Sequence, residues 1–324
     1  MAQLSVVVPV YSCDECLRAL YDRLARVLSE ITLDFEIVFV DDRSPDDAWS
    51  TLRELATQDE RVKAVRLSRN FGQHPAITAG LAESTGHWVV VMDCDLQDPP
   101  EEIPQLYATA QQGYDIVFAR RKRRRDSPLR RASARLYFGL MNTFLGTSID
   151  GEYGSFSILN RKVVDEFLRF RDRDRHYLLI LYWLGFEHMA IDVAHGSRHA
   201  GKSAYSVSSL LRHAVDGVFF QTATLLRWIV FSGLLIACAG FASAIALVVT
   251  YFAGADPPSG YTSLAVLILL STGFVLTSLG ITALYVGKVF EQAKDRPLYV
   301  VDERIDHADG PRTAQPVNPV SESV

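Results

Sequence analysis

The chain has 324 residues, a formal net charge of −5 and 48% hydrophobic residues. That length allows one large domain or two small ones, but an apolar stretch over residues 229–286 excludes a wholly soluble protein. The four cysteines, one of them inside that stretch, exclude the disulfide framework of a small secreted domain.

The first 118 residues alternate between apolar runs and helix-like segments. The runs lie at 4–8, 36–40, 62–67, 88–92 and 115–119, and the predicted helices at 15–30, 46–58, 74–84 and 101–112. This order predicts an α/β, Rossmann-like domain with a mostly parallel sheet and helices on both faces. The amino terminus lacks the basic region of a signal peptide, so this domain is predicted to stay in the cytosol.

Polar and aromatic residues follow the strands of this predicted domain. Ligands of open α/β sheets bind beyond the carboxyl ends of the strands, where Pro9, Tyr11, Asp42 and residues 93–97 are expected to converge. Tyr11 is expected to stack on a nucleotide base, and Asp42 to accept hydrogen bonds from the base or ribose. The alternative for Asp42 is a cap on the helix that begins near Pro45.

Residues 89–100 read Val-Val-Val-Met-Asp-Cys-Asp-Leu-Gln-Asp-Pro-Pro, a buried strand that ends in carboxylates. Asp93, Asp95 and the amide of Gln97 offer hard oxygen ligands, which suit Mg²⁺ or Mn²⁺ partly bound to a substrate's phosphates. The alternative is two solvated aspartates in a turn.

A strongly basic run follows the fifth strand. Residues 120–135 contain nine cations within a chain of negative net charge. The run has no interleaved aromatic residues, which argues against a nucleic-acid partner. Anionic lipid headgroups and a lipid phosphate explain it better, since each surface Lys or Arg adds about 1 kcal/mol of attraction to an acidic leaflet. A merely solvated loop is the alternative.

The last third of the chain is predicted to meet the membrane. Residues 205–228 carry an apolar stripe at helical spacing and end in Trp228, which predicts an interfacial amphipathic helix rather than one packed on the soluble domain. Two uncharged runs follow at about 229–252 and 262–286; the first, at 1.5 Å per residue, reaches about 36 Å against a hydrocarbon core of about 30 Å. A turn at 256–260 makes them a transmembrane hairpin rather than a buried helix pair.

The flanks of this hairpin set its orientation. Basic residues precede the first run and follow the second, whereas the turn carries only Asp256. Both termini are therefore predicted to be cytoplasmic, in a multi-pass protein of the inner membrane. The domain boundaries predicted are 1–204 for the catalytic domain, 205–228, 229–286, a juxtamembrane segment at 287–301 and a disordered tail at 302–324.

Together these motifs resemble one family, the polyprenyl-phosphate glycosyltransferases of glycosyltransferase family 2, which have the glycosyltransferase A fold. The family includes dolichyl-phosphate mannose synthase and bacterial undecaprenyl-phosphate sugar transferases. The resemblance covers roughly residues 4–300. Its motifs are Val-Val-Val-Pro-Val-Tyr at 6–11, Val-Asp-Asp-Arg-Ser at 40–44, Ser-Arg-Asn-Phe-Gly-Gln-His at 68–74, residues 93–102, Arg-His-Ala-Gly-Lys-Ser-Ala-Tyr-Ser at 198–206 and Arg-Pro-Leu-Tyr-Val at 296–300.

The resemblance implies a function and a pair of substrates. A sugar passes with inversion from a nucleotide-diphosphate sugar, with UDP as the expected nucleotide, to undecaprenyl phosphate at the cytoplasmic membrane face. The lipid-linked sugar serves cell-envelope glycan modification, and the enzyme is a homo-oligomer, as a tetramer. Two alternatives stay open: a processive polysaccharide synthase, although Arg227-Trp228 lacks the expected preceding Gln, and a non-catalytic membrane scaffold.

The same resemblance assigns further site residues. Cys13 stands where relatives carry Glu, so Asp14 or Glu15 is expected to take that place on the nucleotide-sugar side, together with Asn70. Asp93 is expected on the ribose or on the ion. Gly154-Ser155-Phe156-Ser157 stands where relatives have Gly-Asp-Phe-Arg, and Glu152 is the substitute expected for the missing base. The acceptor-phosphate contacts implied are Arg121 or Arg120, Arg130, Ser133, Arg198 and Ser203.

Overall fold

The computed structural model describes residues 2–121, 153–170, 172, 175–193 and 260–306, together with isolated positions between 229 and 252. Within these residues the strands are β1 (Leu4–Val10), β2 (Phe35–Asp41), β3 (Val62–Leu67), β4 (Trp88–Val91), β5 (Ile116–Arg121), β6 (Tyr153–Asn160), β7 (His188–Val193) and β8 (Val301–Ile305). The helices are α1 (Asp14–Ile31), α2 (Ala48–Gln58), α3 (Gln73–Glu83), α4 (Ile103–Ala110), α5 (Arg161–Arg169), α6 (Tyr177–Leu184) and α7 (Tyr261–Ala293).

The strands form one mostly parallel sheet, as predicted. Their order is β7-β5-β6-β4-β1-β2-β3-β8. Strands β4, β1, β2 and β3 are mutually parallel, and β6 enters antiparallel between β4 and β5. Strands β1, β2 and β4 are buried along their whole length because helices cover both faces of the sheet. The predicted strands and helices of the first 118 residues are all present.

Two apolar layers enclose this sheet. One contains Leu17 of α1, Leu52 of α2 and Leu106 of α4, and the other contains Ile77 of α3 and side chains of α5 and α6. Helix α3 lies very close to the sheet: a Cβ atom at Gly80 would be 2.3 Å from Val7 Cγ1 and 3.1 Å from Val40 Cγ2. Only glycine permits α3 to approach the sheet this closely at position 80.

The prediction of a disordered tail from residue 302 is wrong for its first residues. Val301–Ile305 form β8, which pairs antiparallel with β3 and closes that edge of the sheet. The segment is charged and short, so its composition suggested disorder. Its charges are instead paired with the domain, in the ion pairs Arg43–Asp302 (2.7 Å), Arg53–Glu303 (2.9 Å) and Arg304–Glu83 (2.6 Å).

The chain divides into two compact units, one containing the sheet and the other containing α7. Helix α7 has 33 residues, and its portion Ser271–Ala293 is long and apolar enough to cross a membrane. The second predicted span, 262–286, lies within α7, but the helix continues to Ala293, into the predicted juxtamembrane segment. The interfacial helix at 205–228 lies outside the described residues, as does most of the first span. The described residues thus contain one candidate span, and the hairpin stays a prediction.

Candidate active site

The carboxyl ends of three neighbouring strands bring the predicted donor-side residues to one edge of the sheet. Val10 and Asp41 are paired at the ends of β1 and β2, and the amide of Asp42 donates to the carbonyl of Val10 at 2.9 Å. On the other side of β1, the amide of Met92 donates to the carbonyl of Val7 at 3.1 Å. The acidic pair therefore leaves β4 beside the loop that carries Tyr11.

Tyr11 lies on a sharply turned loop after β1. Its side chain is 50% exposed, and Ser12 adopts a left-handed backbone conformation (φ 53°). An exposed aromatic ring at the carboxyl edge of a parallel sheet is suited to stacking on a planar ligand.

Asp42 organises a neighbouring loop. Its carboxylate is 3% exposed and accepts hydrogen bonds from the backbone amides of Phe71 (2.7 Å) and Gly72 (2.8 Å). Burial raises the pKa of Asp42 to about 6, although both hydrogen bonds oppose the shift. The alternative of a helix cap is wrong, because α2 begins after Asp47. Asp42 thus holds the segment that carries the exposed Asn70.

A network of charged residues that the sequence does not predict lies at the same edge of the sheet. Asp41 is fully buried; it accepts from the amide of Ser44 at 2.8 Å and lies 3.2 Å from Arg66 Nε. Arg66 also lies near Glu303 of β8, which accepts from the indole of Trp49 at 3.3 Å. Because the chain from residue 302 is predicted from its sequence to be disordered, the sequence gives no indication of this link between β8 and the loop after β2.

Asp93 is held by residues from two other elements. Its Oδ1 accepts hydrogen bonds from Gln73 Nε2 at 2.8 Å and from Ser155 Oγ at 2.7 Å. Gln73 is the first residue of α3, and Ser155 lies in β6. Gln73 lies in the motif at 68–74, but the sequence assigns it no role, and Ser155 appears in the sequence only as a departure from the expected Asp.

Asp95 is held by its own loop. Its Oδ1 accepts from the backbone amide of Gln97 at 3.1 Å, and Leu96 between them adopts a left-handed conformation (φ 60°). Leu96 tolerates this conformation because its side chain is buried in the core beneath the loop.

The acidic pair fits a divalent ion that is shared with a ligand. Among the described residues, no group of three His, Cys, Asp or Glu side chains is arranged to hold an ion alone. Mg²⁺ and Mn²⁺ do not need such a group where one or two carboxylates and the substrate's phosphates supply the ligands. Asp93 and Asp95 are the oxygen donors of that kind in this loop, so the chemistry of the donor set suits the ion.

Cys13 and Asp14 each form a hydrogen bond with another segment of the chain. The Cys13 thiol donates to the carbonyl of Cys94 at 3.0 Å, and this neighbour together with burial raises the pKa of Cys13. The thiol therefore ties the loop after β1 to the acidic loop. Asp14 accepts from Thr51 of α2 at 2.6 Å, and Glu15 is exposed. The nucleotide-sugar role predicted for Asp14 thus competes with a contact to α2.

The predicted acceptor residues are mostly outside the described part of the chain. Glu152, Arg130, Ser133, Arg198 and Ser203 lie there, and Arg121 is described only as the last residue of β5. The neighbouring Arg120 forms an ion pair with Asp192 of β7.

Comparison with known proteins places the chain among the glycosyltransferases. Residues 5–168 match the family model described as glycosyl transferase family 2. The chain is 33% identical over 302 residues to the uncharacterized glycosyltransferase YkcC of Bacillus subtilis, covering 93% of this chain and 94% of that protein. It is 33% identical over 305 residues to the undecaprenyl-phosphate 4-deoxy-4-formamido-L-arabinose transferase of Proteus mirabilis, covering 93% of each chain.

Solved structures show weaker likeness. The crystal structure of S. aureus TarS 1-349 in complex with UDP-GlcNAc has a TM-score of 0.45 at 18% identity, covering 68% of this chain and 66% of that chain. Glucosyl-3-phosphoglycerate synthase from Mycobacterium tuberculosis, with Mn²⁺, UDP and glucosyl-3-phosphoglycerate, has a TM-score of 0.48 at 16% identity, covering 68% and 80%. At these scores neither likeness bears on the function.

Proposed function

The chain belongs to glycosyl transferase family 2, and from that premise we propose that it transfers one sugar from a nucleotide-diphosphate sugar, with UDP as the nucleotide, to undecaprenyl phosphate. The observation that carries the proposal is the similarity to an undecaprenyl-phosphate sugar transferase over 93% of both chains. That similarity extends well beyond residue 168, where the family match ends, and so includes the part of the chain that contains α7.

The donor is proposed to bind at the carboxyl ends of β1, β2 and β4. Tyr11 stacks on the base, while Asp42 and the loop it holds, with Asn70, line the ribose side. Asp93 and Asp95, with Gln97, face the diphosphate. A divalent ion bound there supplies positive charge that stabilises the departing diphosphate. Support comes from the exposure of Tyr11 and from the fixed orientations of the two carboxylates.

The acceptor phosphate is proposed to bind to Arg121 and Arg130 with Ser133, and to Arg198 with Ser203. A phosphate monoester has a second pKa near 6, so at neutral pH the attacking oxygen is already mostly ionised. A strong general base is therefore not required, and Glu152 is proposed as the substitute for the base that relatives carry. One displacement at carbon 1 inverts the anomeric configuration.

The enzyme is proposed to work at the cytoplasmic face of the inner membrane. The apolar portion of α7 and the predicted first span are proposed to anchor the chain, with the amphipathic helix predicted at 205–228 in the headgroup layer. A homo-oligomer, as a tetramer, is the proposed assembly.

The test replaces Asp95 with Asn, which removes one charge but hardly changes volume. Purified full-length protein in detergent is supplied with undecaprenyl phosphate, a UDP-sugar panel and Mn²⁺. Transfer is expected to fall at least about a hundredfold, because the carboxylate at the diphosphate is lost. Asp22→Asn, an exposed position on α1, is the matched control and is expected to leave transfer unchanged. Turnover of Asp95→Asn within a few fold of wild type would contradict the assignment.

A double variant separates the two substrates. Arg121→Ala with Arg130→Ala is expected to raise the undecaprenyl phosphate concentration needed for half-maximal transfer about tenfold or more, because charge-assisted hydrogen bonds to the acceptor phosphate are lost. Donor affinity, measured by calorimetry with UDP and Mn²⁺, is expected to stay within about twofold. Collapse of donor affinity with an unchanged lipid requirement would assign these arginines to the donor instead.

A further inference from the structure

The first carboxylate of the acidic pair is held from outside its own loop. Gln73 Nε2 and Ser155 Oγ both donate to Asp93 Oδ1, at 2.8 and 2.7 Å. Asp95 accepts a hydrogen bond from the backbone amide of Gln97 in its own turn.

The fold places Ser155 opposite Asp93. Strands β4 and β6 are antiparallel, with Val89 paired to Leu159 and Val91 paired to Ser157. Asp93 follows β4 two residues after Val91, and Ser155 lies on β6 two residues before Ser157. The pairing of the two strands therefore brings the end of β4 next to the part of β6 that carries the Ser155 hydroxyl.

The second donor depends on how α3 packs. Gln73 begins α3, directly after Gly72, whose amide is bonded to Asp42. Further along the helix, Gly80 lets α3 lie against β1 and β2. The position of the Gln73 amide is therefore set at both ends, by the loop that Asp42 holds and by close packing on the sheet.

Two hydrogen bonds to one oxygen of Asp93 restrict the rotation of this carboxylate before any ligand binds. We infer that Gln73 and Ser155 are positioning residues that hold Asp93 ready for the divalent ion and diphosphate of the donor, an inference that rests on the proposed function. Neither residue needs to touch the reacting atoms.

The test measures Mn²⁺ affinity, not activity. Full-length protein in detergent is titrated with Mn²⁺ in the presence of UDP, and the free ion is followed by electron paramagnetic resonance. Ser155→Ala and Gln73→Ala are each expected to weaken Mn²⁺ binding roughly tenfold, the size expected for a lost hydrogen bond to a charged group. Ser155→Thr keeps the hydroxyl on a strand position that tolerates β-branching, and is expected to bind within about twofold of wild type.

Matched controls remove the same groups far from the site. Ser29→Ala removes a hydroxyl bonded to the carbonyl of Ala25 on α1, and Gln58→Ala removes an amide bonded to Glu54 on α2. Both are expected to bind Mn²⁺ as wild type does. Thermal midpoints are recorded for all variants, since a purely structural contact would shift the midpoint and leave metal affinity unchanged.

The outcomes distinguish the two levels of the proposal. If wild type takes up no Mn²⁺ with UDP, the proposed donor site itself fails. If wild type binds but Ser155→Ala and Gln73→Ala bind equally well, the positioning role is overturned while the proposed function stands. The role is also overturned if Ser155→Thr is as weak as Ser155→Ala, because the hydroxyl would then not be the group that matters.

Discussion

Asp42 has a buried carboxylate, and its contribution to the stability of the folded protein depends on pH. Its pKa is raised from 3.8 to about 6, so at neutral pH the folded protein holds an ionised carboxylate that burial disfavours. The sign follows from proton linkage: the contribution of this group to stability is fully present below about pH 4 and is lost as pH rises through about 6. The two backbone amides that it binds offset part of the cost at neutral pH.

Asp42→Asn is expected to remove this pH dependence. An amide cannot ionise, so the thermal midpoint of wild type should rise relative to that of the variant as pH falls from about 7 to about 4.5. The measurement is a melting series in detergent at several pH values, with Asp22→Asn as the control for an exposed carboxylate. If the difference in thermal midpoint between wild type and Asp42→Asn stays constant with pH, burial does not shift the pKa of Asp42.

At the residue scale, the acidic pair could be predicted but its supports could not. An apolar run ending in Asp93 and Asp95 is visible in the sequence because a buried strand must end where charges begin. Gln73 and Ser155 reach Asp93 from 20 and 62 residues away, through helix packing and strand register. Those contacts exist only once the sheet order is known.

At the scale of elements, the close packing of α3 on the sheet depends on one small residue, Gly80. Gly80→Ala puts a methyl group against Val7 and Val40 and is expected to cost about 1–3 kcal/mol, the range for overpacking a core. Because the same helix carries Gln73, the Mn²⁺ affinity of Gly80→Ala is also expected to be lower than that of wild type. Gly280→Ala in α7, where nothing lies within 4 Å of the added Cβ, is the matched control. Wild-type melting of Gly80→Ala would contradict the close packing of α3.

Strand β8 is expected to be needed, whereas the chain after it is not. A stop after Val300 removes the strand and its ion pairs and leaves β3 as a bare edge, so lower thermal stability and some aggregation are expected. A stop after Asp306 keeps these contacts and is expected to behave as wild type. Equal thermal midpoints of the two truncated proteins would show that β8 contributes nothing to stability.

The alternating strands and helices of the first 118 residues were predictable because their periodicity and turn residues agree with one another. Strand β8 was not, because five residues with three charges carry no strand pattern of their own. It forms because β3 presents an unpaired edge and complementary charges, which is tertiary information.

At the scale of the whole molecule, the predicted topology is open to a direct test. A reporter fused after Val324 is expected to be cytoplasmic and one inserted at Ser259 external, because basic residues flank the two runs and the turn between them carries a single acidic charge. A reporter after Val324 on the external face would contradict the hairpin.

The measurement that tests the central claim most directly is the mass of the lipid product. Full-length protein in vesicles containing undecaprenyl phosphate is given each of a panel of nucleotide sugars with Mn²⁺. The account predicts undecaprenyl phosphate carrying one added sugar, formed from one donor or a few and absent with Asp95→Asn. A product with many sugars, or sugar transferred with no lipid phosphate consumed, would contradict it.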